Sequence, residues 1–214
     1  MSETAAIDHS ADVYEPSLTP DSQGKLGMWL FLISDAMSFG ALLAAYGAIR
    51  AGAAEWAPPS EVLGINLTAF MTFLLICSSV TMVKALEAIQ KGNQSRMCAF
   101  LGLTILGGLI FLGLQAYEWT ALIKHGLTLN AIPHHGLSGA EISGSVLFGP
   151  TFYTITGFHG AHVTGGVIYL IVILIQGMRG TYTADYNHKV EILGLYWHFV
   201  DLIWIMVFTF VYLL

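Results

Sequence analysis

Two pairs of ionisable residues lie in segments of this chain that are otherwise apolar. His159 and His162 are three residues apart in one segment, and His198 and Asp201 have the same spacing in another. Residues with this spacing share one face of a helix, so the members of each pair could act together. An ionisable group inside a bilayer costs at least about 2.5 kcal/mol, and such groups usually face protein or water and serve a function. These four residues are therefore the first candidates for chemistry.

Two carboxyl groups in other apolar segments extend this set. A rise of about 1.5 Å per residue, counted from the predicted helix ends, places Glu118 at the depth of His159 and His162. We expect Glu118 to hydrogen-bond one of these imidazoles, because such a bond satisfies both groups. The same count places Asp35 with the second pair, nearer the other membrane surface. No basic residue is close to Asp35 in sequence, which favours its burial as the neutral acid.

Three kinds of site are open to these groups. Buried imidazoles can ligate haem or a transition metal. A bis-histidine haem site needs its ligands on facing helices at one depth, however, and the depth count separates His159 from His198. A proton relay and a structural network of hydrogen bonds between helices both remain. The spacing favours the structural network for Glu118 and the histidines, and it leaves the two interpretations even for Asp35.

Composition assigns the chain to the membrane proteins. Of its 214 residues, 55% are hydrophobic and only 10% are charged, and the mean hydropathy is +0.68. A soluble domain carries about 25% charged residues. The net charge of −6 gives no indication of nucleic-acid binding. The two cysteines are too few for a disulfide scaffold.

Five segments are long enough for the roughly 20 apolar residues that a bilayer requires. They run over Leu26–Ile49, Val62–Ala88, Met97–Ile123, Val146–Met178 and Val190–Leu214. Residues 1–24 differ from them, with five acidic residues, two prolines and no Lys or Arg. We predict a polar, loosely ordered arm there, because neither a secretory signal nor a transit peptide has this composition. Residues 25–214 are predicted to form an all-α bundle of five transmembrane helices.

The basic residues predict the orientation of this bundle. Two of the eight Lys and Arg residues, Arg50 and Lys124, fall at one end of the predicted helices. The other six fall at the opposite end, and they are Lys25, Lys84, Lys91, Arg96, Arg179 and Lys189. The positive-inside rule then places the N-terminus in the cytoplasm and the C-terminus in the periplasm.

Two stripes of small residues, spaced by four, predict where helices approach closely. They consist of Ala36, Gly40, Ala44 and Ala48 in the first span and of Gly157, Ala161 and Gly165 in the fourth. We expect both stripes to form contacts inside the bundle.

Five motifs occur in a characteristic order along the chain. They are Leu30-Phe31-Leu32-Ile33-Ser34-Asp35, Leu114-Gln115-Ala116-Tyr117-Glu118, Gly149-Pro150-Thr151-Phe152-Tyr153, Thr156-Gly157-Phe158-His159-Gly160-Ala161-His162-Val163 and Tyr196-Trp197-His198-Phe199-Val200-Asp201. Together they resemble the signature of subunit III of the haem–copper respiratory oxidases. The resemblance covers residues 24–214. The chain lacks the two N-terminal helices of the seven-helix form, as shorter bacterial members do, and it has Asp35 where many members have Glu.

The resemblance implies a non-catalytic subunit of a terminal oxidase in the inner membrane of a prokaryote. The assembly would reduce oxygen to water and pump protons, with cytochrome c or quinol as its electron donor. Haem and copper would belong to the partner catalytic subunits I and II and not to this chain. Subunit III would stabilise the catalytic subunit, bind structural phospholipids and support proton uptake.

The resemblance also suggests roles for single residues. Asp35 corresponds to a carboxyl group near the proton-entry region of the catalytic subunit. We predict lipid contacts at Arg179, where the resemblance points to headgroup binding, and at Trp56, an aromatic residue near the end of a span. The residues alone also allow a function of another class, a stand-alone membrane di-haem cytochrome or a His-lined ion carrier.

Overall fold

The computed structural model describes residues 23–139, 141–184 and 186–214. Its helices are α1 (Gln23–Gly52), the short α2 (Pro59–Val62), α3 (Ile65–Gln90), α4 (Gln94–Lys124), α5 (Phe148–Met178) and α6 (His188–Val207), and α6 continues as a π-helix over Phe208–Leu213. Five of them are long and apolar enough to cross a membrane. The prediction of an all-α chain with five spans is confirmed. Most of the predicted arm over residues 1–24 lies outside the described residues.

The second span begins three residues later than predicted. Val62 belongs to α2, which starts with Pro59, a residue that suits the first position of a helix because it needs no backbone donor there. Leu63 then adopts an extended backbone, and α3 begins at Ile65. The extended backbone at Leu63 thus separates this short helix from the membrane span.

Four of the long helices form a closed ring, and the fifth lies outside it. Helix α3 packs against α4, α4 against α5, and α5 against α6. Helix α6 also packs against α3, which closes the ring. Helix α1 packs mainly against α6 and, over a smaller area, against α5. The largest fully buried side chains are aromatic. Phe39 belongs to α1, and the others belong to the ring helices and the π-helix: Phe111, Phe148, Phe152, Trp197, Trp204 and Tyr212.

Glycine lets the helices of the ring approach around one tryptophan. A Cβ atom on Gly166 of α5 would lie 2.9 Å from the Trp197 ring, and one on Gly108 of α4 would lie 2.8 Å from the same ring. Both distances are too short for real side-chain contacts. Larger residues would therefore force α4, α5 and α6 apart, and close approach is what holds membrane helices together.

The predicted small-residue stripe of α1 is not a contact inside the bundle. Ala36, Gly40, Ala44 and Ala48 are all exposed. The buried face of α1 instead carries larger side chains, namely Leu32, Asp35, Phe39 and Tyr46. The prediction was wrong because small residues suit a packed face and an outward face equally.

The stripe of α5 is displaced from its predicted position. Gly157 does face the ring of Trp119, which would lie 3.1 Å from a Cβ atom added there, but Ala161 and Gly165 are exposed. The packed face lies further along, at Gly160 against Gln115 and at Gly166 against Trp197.

Polar contacts tie the helices at both ends of the bundle. At the end where α1 begins, the Lys25 ammonium group lies 2.8 Å from the carboxylate of Glu191 at the start of α6. At the opposite end, the Arg50 guanidinium group donates to the carbonyl of Leu214. These two contacts fix both ends of α1 against α6 and the π-helix that follows it.

The long connection between α4 and α5 folds back over the α1–α3 connection. The Leu137 amide donates to the Glu61 carbonyl at 2.8 Å, and the Ser138 hydroxyl donates to the Glu61 carboxylate at 2.6 Å. The Ser145 amide donates to the Glu55 carbonyl at 3.1 Å. Two acidic residues therefore order this connection at the bundle end that carries few basic residues.

Candidate functional site: buried polar clusters between the helices

Glu118 of α4 binds hydroxyl groups deep inside the ring. The Thr68 hydroxyl of α3 lies 2.9 Å from Glu118 Oε1, and the Tyr212 hydroxyl donates to Oε2 at 3.1 Å. All three side chains are buried. The Thr68 hydroxyl also reaches the Gly64 carbonyl at 3.2 Å. When Thr68 donates to that carbonyl, its oxygen is free to accept a hydrogen bond from a protonated Glu118 carboxyl group, so the geometry accommodates the neutral acid without a cation.

Asp35 of α1 pairs with His162 of α5. His162 Nε2 lies 3.1 Å from Asp35 Oδ1 and 3.0 Å from Oδ2, while His162 Nδ1 lies 2.8 Å from the Phe158 carbonyl. A carbonyl only accepts, so Nδ1 must carry a proton. The contact between Nε2 and the carboxyl group then holds one more proton, either on Asp35 or on the imidazole. The pair is an acid–base couple without net charge in both forms.

This couple lies at the edge of the bundle and not in its centre. The side chains of His162 and Asp35 keep 15% and 9% of their surface exposed. Phe39 and Phe158 pack against the imidazole with ring centroids 5.2 and 4.6 Å away. The Tyr196 hydroxyl donates to the His162 carbonyl at 2.9 Å. The couple therefore lies among apolar side chains close to the surface of the bundle.

His198 and Asp201 of α6 meet at one serine of α3. The Ser79 hydroxyl lies 2.6 Å from His198 Nδ1 and is close to the Asp201 carboxyl group. The Asp201 oxygen Oδ1 has no hydrogen-bond partner among the residues that the structure describes. This cluster is separate from the Asp35–His162 couple, although His198 lines an apolar groove between α1 and α6.

Two buried tryptophans of α6 also meet hydroxyl groups of α3. The Trp204 indole donates to the Thr72 hydroxyl at 2.9 Å, and the Trp197 indole donates to the Ser78 hydroxyl at 3.0 Å. Along the α3–α6 contact, each of these hydroxyl groups of α3 is therefore paired with an indole or imidazole group of α6. The α3 hydroxyls were not predicted from the sequence, although their spacing of four and seven residues at Thr68, Thr72 and Ser79 was a readable signal.

His159 is enclosed by aromatic rings. The ring of Trp204 lies 4.8 Å from the imidazole at an angle of 30°, and Phe111 and Phe39 meet it edge-on at 5.8 and 6.4 Å. His159 is fully buried, and neither ring nitrogen has a hydrogen-bond partner in the described part of the chain. Within those residues, His159 behaves as a packed aromatic ring of the core.

The predicted grouping of these residues is wrong in two respects. Glu118 contacts hydroxyl groups and not His159 or His162. Asp35 pairs with His162 and not with His198 or Asp201, so the assumption that it lacks a basic partner also fails. The depth count gives the height of a residue along its helix but not the direction in which the side chain leaves it. That direction depends on how the helices are rotated against each other, which only the packing determines.

The three histidines of the spans do not converge. Each has a different neighbour: a carboxyl group for His162, a serine for His198 and aromatic rings for His159. Residues 23–139, 141–184 and 186–214 contain no group of three or more His, Cys, Asp and Glu side chains that could hold a metal ion. The geometry of these side chains therefore fits interhelical contacts better than a bis-histidine haem site.

The two predicted lipid-contact residues lie at opposite ends of the bundle. Trp56 is half-buried between the rings of Tyr46 and Phe148, at centroid distances of 5.6 and 5.4 Å, beyond the end of α1. Arg179 is exposed just after the end of α5, near the start of α1 and α6. They cannot bind the same headgroup.

Tyr182, in the connection that follows Arg179, shows how closely this loop packs. Burial, with a smaller contribution from the phenols of Tyr169 and Tyr186, raises the pKa of Tyr182 to about 12. Its hydroxyl stays protonated and donates to the Gln176 side chain at 2.5 Å.

Comparison with known proteins connects this arrangement to a family. The sequence profile described as cytochrome c oxidase subunit III matches residues 17–214. Cytochrome c oxidase subunit 3 of Bacillus subtilis is 37% identical over 192 residues, which cover 88% of this chain and 85% of the relative. The subunit of the same name from Alkalihalophilus pseudofirmus is 33% identical over 190 residues, with the same coverage of both chains. The probable quinol oxidase subunit 3 of Staphylococcus saprophyticus is 32% identical over 211 residues and covers 97% of both chains.

The match extends over all five spans and over each buried polar cluster described above. It agrees with the resemblance in the sequence motifs and does not favour a stand-alone cytochrome or ion carrier. This chain belongs to the cytochrome c oxidase subunit III family and is a multi-pass membrane subunit of a terminal oxidase.

Proposed function

We propose that this chain is the non-catalytic subunit III of a proton-pumping oxidase and that it stabilises the catalytic subunit during turnover. Haem and copper would reside in the partner subunits I and II, where oxygen is reduced to water. The proposal is supported by the family match over residues 17–214. It is also consistent with the separation of His159, His162 and His198, each of which contacts a different neighbour.

We further propose a role in proton uptake for Asp35. The Asp35–His162 couple holds one proton without net charge and keeps part of its surface exposed at the edge of the bundle. A couple of this kind can pass its proton to an adjoining subunit and take up another in its place, and it carries no net charge before or after that exchange, which suits a group buried in the membrane. The deep Glu118 cluster has no such access, and for it we propose a purely structural role.

The distribution of basic residues supports a proposed orientation and location. Six of the eight Lys and Arg residues lie at the end where α1 begins, and the positive-inside rule places that end in the cytoplasm. The loop ordered by Glu55 and Glu61 would then face the periplasm of a prokaryotic inner membrane. Arg179 would meet phospholipid headgroups on the cytoplasmic side, and Trp56 would contact lipid on the periplasmic side.

The proposal is tested by isolating the chain from its own membranes in mild detergent. We expect subunits I and II to co-purify, with the haem spectrum carried by the complex. Removal of this chain should leave that spectrum intact but reduce the number of turnovers before inactivation. Assays with reduced cytochrome c and with quinol on the same complex would assign the electron donor. A Soret band in the separated chain would contradict the proposal.

A further inference from the structure

A basic pocket lies at the hairpin between α3 and α4, away from the clusters described above. It has a volume of about 380 Å³. Its lining comes from the last turns of α3, the connection and the first turns of α4: Lys84, Glu87, Ala88, Lys91, Asn93, Arg96 and Phe100. The pocket opens at the end of two membrane-spanning helices, which is the depth of lipid headgroups.

The pocket carries an excess of positive charge. The ammonium groups of Lys84 and Lys91 lie 2.9 and 2.6 Å from the Glu87 carboxylate, so a single carboxylate serves two cations. Arg96 contributes a third cation, and its guanidinium group makes no hydrogen bond or ion pair with the described residues. The lining therefore has two positive charges that protein groups in the described part of the chain do not neutralise.

The N-terminal end of α4 adds to this positive potential, whereas the C-terminal end of α3 in the same hairpin opposes it in part. Helix α4 begins at Gln94 and directs its positive N-terminal end toward the pocket, while Asn93 at its cap accepts only the Arg96 amide at 3.1 Å. An anion in the pocket would thus lie near the start of α4 and meet the fork of the Arg96 guanidinium group, which suits phosphate oxygens.

An apolar surface continues from the pocket toward the middle of the membrane. Val80 lies one turn before Lys84 on the same face of α3, and Leu103 lies about one turn after Phe100 on α4. Val80 and Leu103 are exposed, by 56% and 50%. The two helices are packed neighbours, so these side chains form a strip directly below the cationic groups.

We propose that this hairpin pocket binds the phosphate headgroup of an anionic phospholipid, with an acyl chain along the Val80–Leu103 strip. Arg96 and Lys91 hold the phosphate, and Lys84 and Glu87 complete the rim. A zwitterionic lipid is disfavoured because its ammonium or choline group would meet an already positive lining. The inference goes beyond the proposed function, which requires no lipid at this hairpin and places its own lipid contacts at Arg179 and Trp56.

The test uses the full chain in a mild detergent and native mass spectrometry with phosphatidylglycerol or phosphatidylcholine of identical acyl chains. We expect phosphatidylglycerol to remain bound preferentially. The double variant Lys91→Gln/Arg96→Gln should lower its affinity roughly thirtyfold, because each of the two basic residues near a lipid surface contributes about 1 kcal/mol. The matched control Lys124→Gln/Lys189→Gln removes the same charge from sites outside the pocket and should change the affinity less than about twofold.

A variant with the opposite expected sign separates binding from damage to the fold. Glu87→Gln removes the carboxylate that occupies both lysines and should increase retention of phosphatidylglycerol severalfold. An equal loss in both double variants, or unchanged binding in Glu87→Gln, would overturn the proposal. Equally strong retention of phosphatidylcholine would also overturn it. Displacement of the lipid by inorganic phosphate alone would show a phosphate-ion site and not a lipid site.

Discussion

Helix α1 and the four-helix ring are held in place by different kinds of contact. In the most apolar window of α1, 17% of the residues are buried, whereas the corresponding window of α6 is 44% buried. The ring relies on close approach around Trp197 and on hydroxyl groups that satisfy buried indoles and Glu118. Helix α1 has a narrow apolar contact and three polar ties: one at each end and the Asp35–His162 couple between them.

The difference reflects the solvent in which the helices pack. Lipid chains are as apolar as leucine, so apolar surface alone does not drive helices together in a membrane. A helix with glycine neighbours gains stability from dense packing. A helix without them depends on polar contacts, which are harder to replace by lipid. The ring should therefore be sensitive to side-chain volume, and α1 should be sensitive to loss of a polar partner.

The largest effect is expected from a volume change in the ring. Gly166→Leu would drive a branched side chain into the Trp197 ring, where even a Cβ atom lies at 2.9 Å. We expect no monodisperse protein by size-exclusion chromatography in detergent. Gly165→Leu is the matched control, since a Cβ atom there meets only the Tyr196 hydroxyl at 3.7 Å. Similar behaviour of the two variants would show that the ring is not closely packed at Gly166.

The next effect comes from breaking the couple that holds α1. His162→Leu leaves the Asp35 carboxyl group without its partner and should lower the free energy of unfolding by about 3 kcal/mol, measured by titration with a denaturing detergent. The double variant Asp35→Leu/His162→Leu should recover most of this loss because no buried polar group remains. Additive losses in the double variant would mean that the two residues stabilise the fold independently.

A smaller effect is expected at the deep carboxyl group. Glu118→Ala leaves the buried Tyr212 hydroxyl without its acceptor and the Thr68 hydroxyl with the Gly64 carbonyl alone, and should cost about 2 kcal/mol in the same titration. Glu118→Gln keeps an acceptor and a donor for these hydroxyls and should cost less than about 1 kcal/mol. The pH dependence of oxygen reduction by the assembled complex should be the same in Glu118→Gln and in the unchanged protein. An altered pH profile in that variant would contradict the structural role.

The smallest structural effect, and the most specific functional one, belongs to Asp35→Asn. The amide can still donate to His162 Nε2, so stability and the haem content of the complex should change little. Proton uptake should slow most at alkaline pH, where protons are scarce and a proton-holding couple is most useful. The measurement is the pH–activity profile of reconstituted complex at matched subunit content. Superimposable profiles of Asp35→Asn and the unchanged protein would exclude a proton-handling role for Asp35.

The number of helices could be predicted from the sequence, but the pairing of their side chains could not. Hydropathy is a property of the linear chain, and a span of about 20 apolar residues is sufficient to identify a membrane helix. Asp35 and His162 are 127 residues apart, and their contact depends on the rotation of α1 and α5 about their axes. Sequence spacing within one helix carries no information on that rotation.

The small residues of α1 also show that spacing within one helix does not identify its buried face. Their spacing predicted a packed face, yet Phe39 and Tyr46, which lie off that stripe, are the buried residues. Bulky apolar residues and small residues both tolerate contact with lipid or protein. A clearer indicator was available in α3, where hydroxyl side chains recur on one face and would otherwise be unsatisfied in an apolar environment.

The π-helix over Phe208–Leu213 determines the direction in which the Tyr212 side chain leaves the helix axis. Over Phe208–Leu213 the hydrogen bonds reach five residues back, as in the bond from the Leu214 amide to the Thr209 carbonyl at 3.1 Å. An α-helical continuation over the same residues would rotate Tyr212 by roughly a quarter of a revolution away from Glu118. The π-helix therefore corrects the phase of the last helix, so that a phenol at the required height also points in the required direction. Within this segment, the rotation per residue determines the buried Glu118 cluster as much as the identity of its residues does.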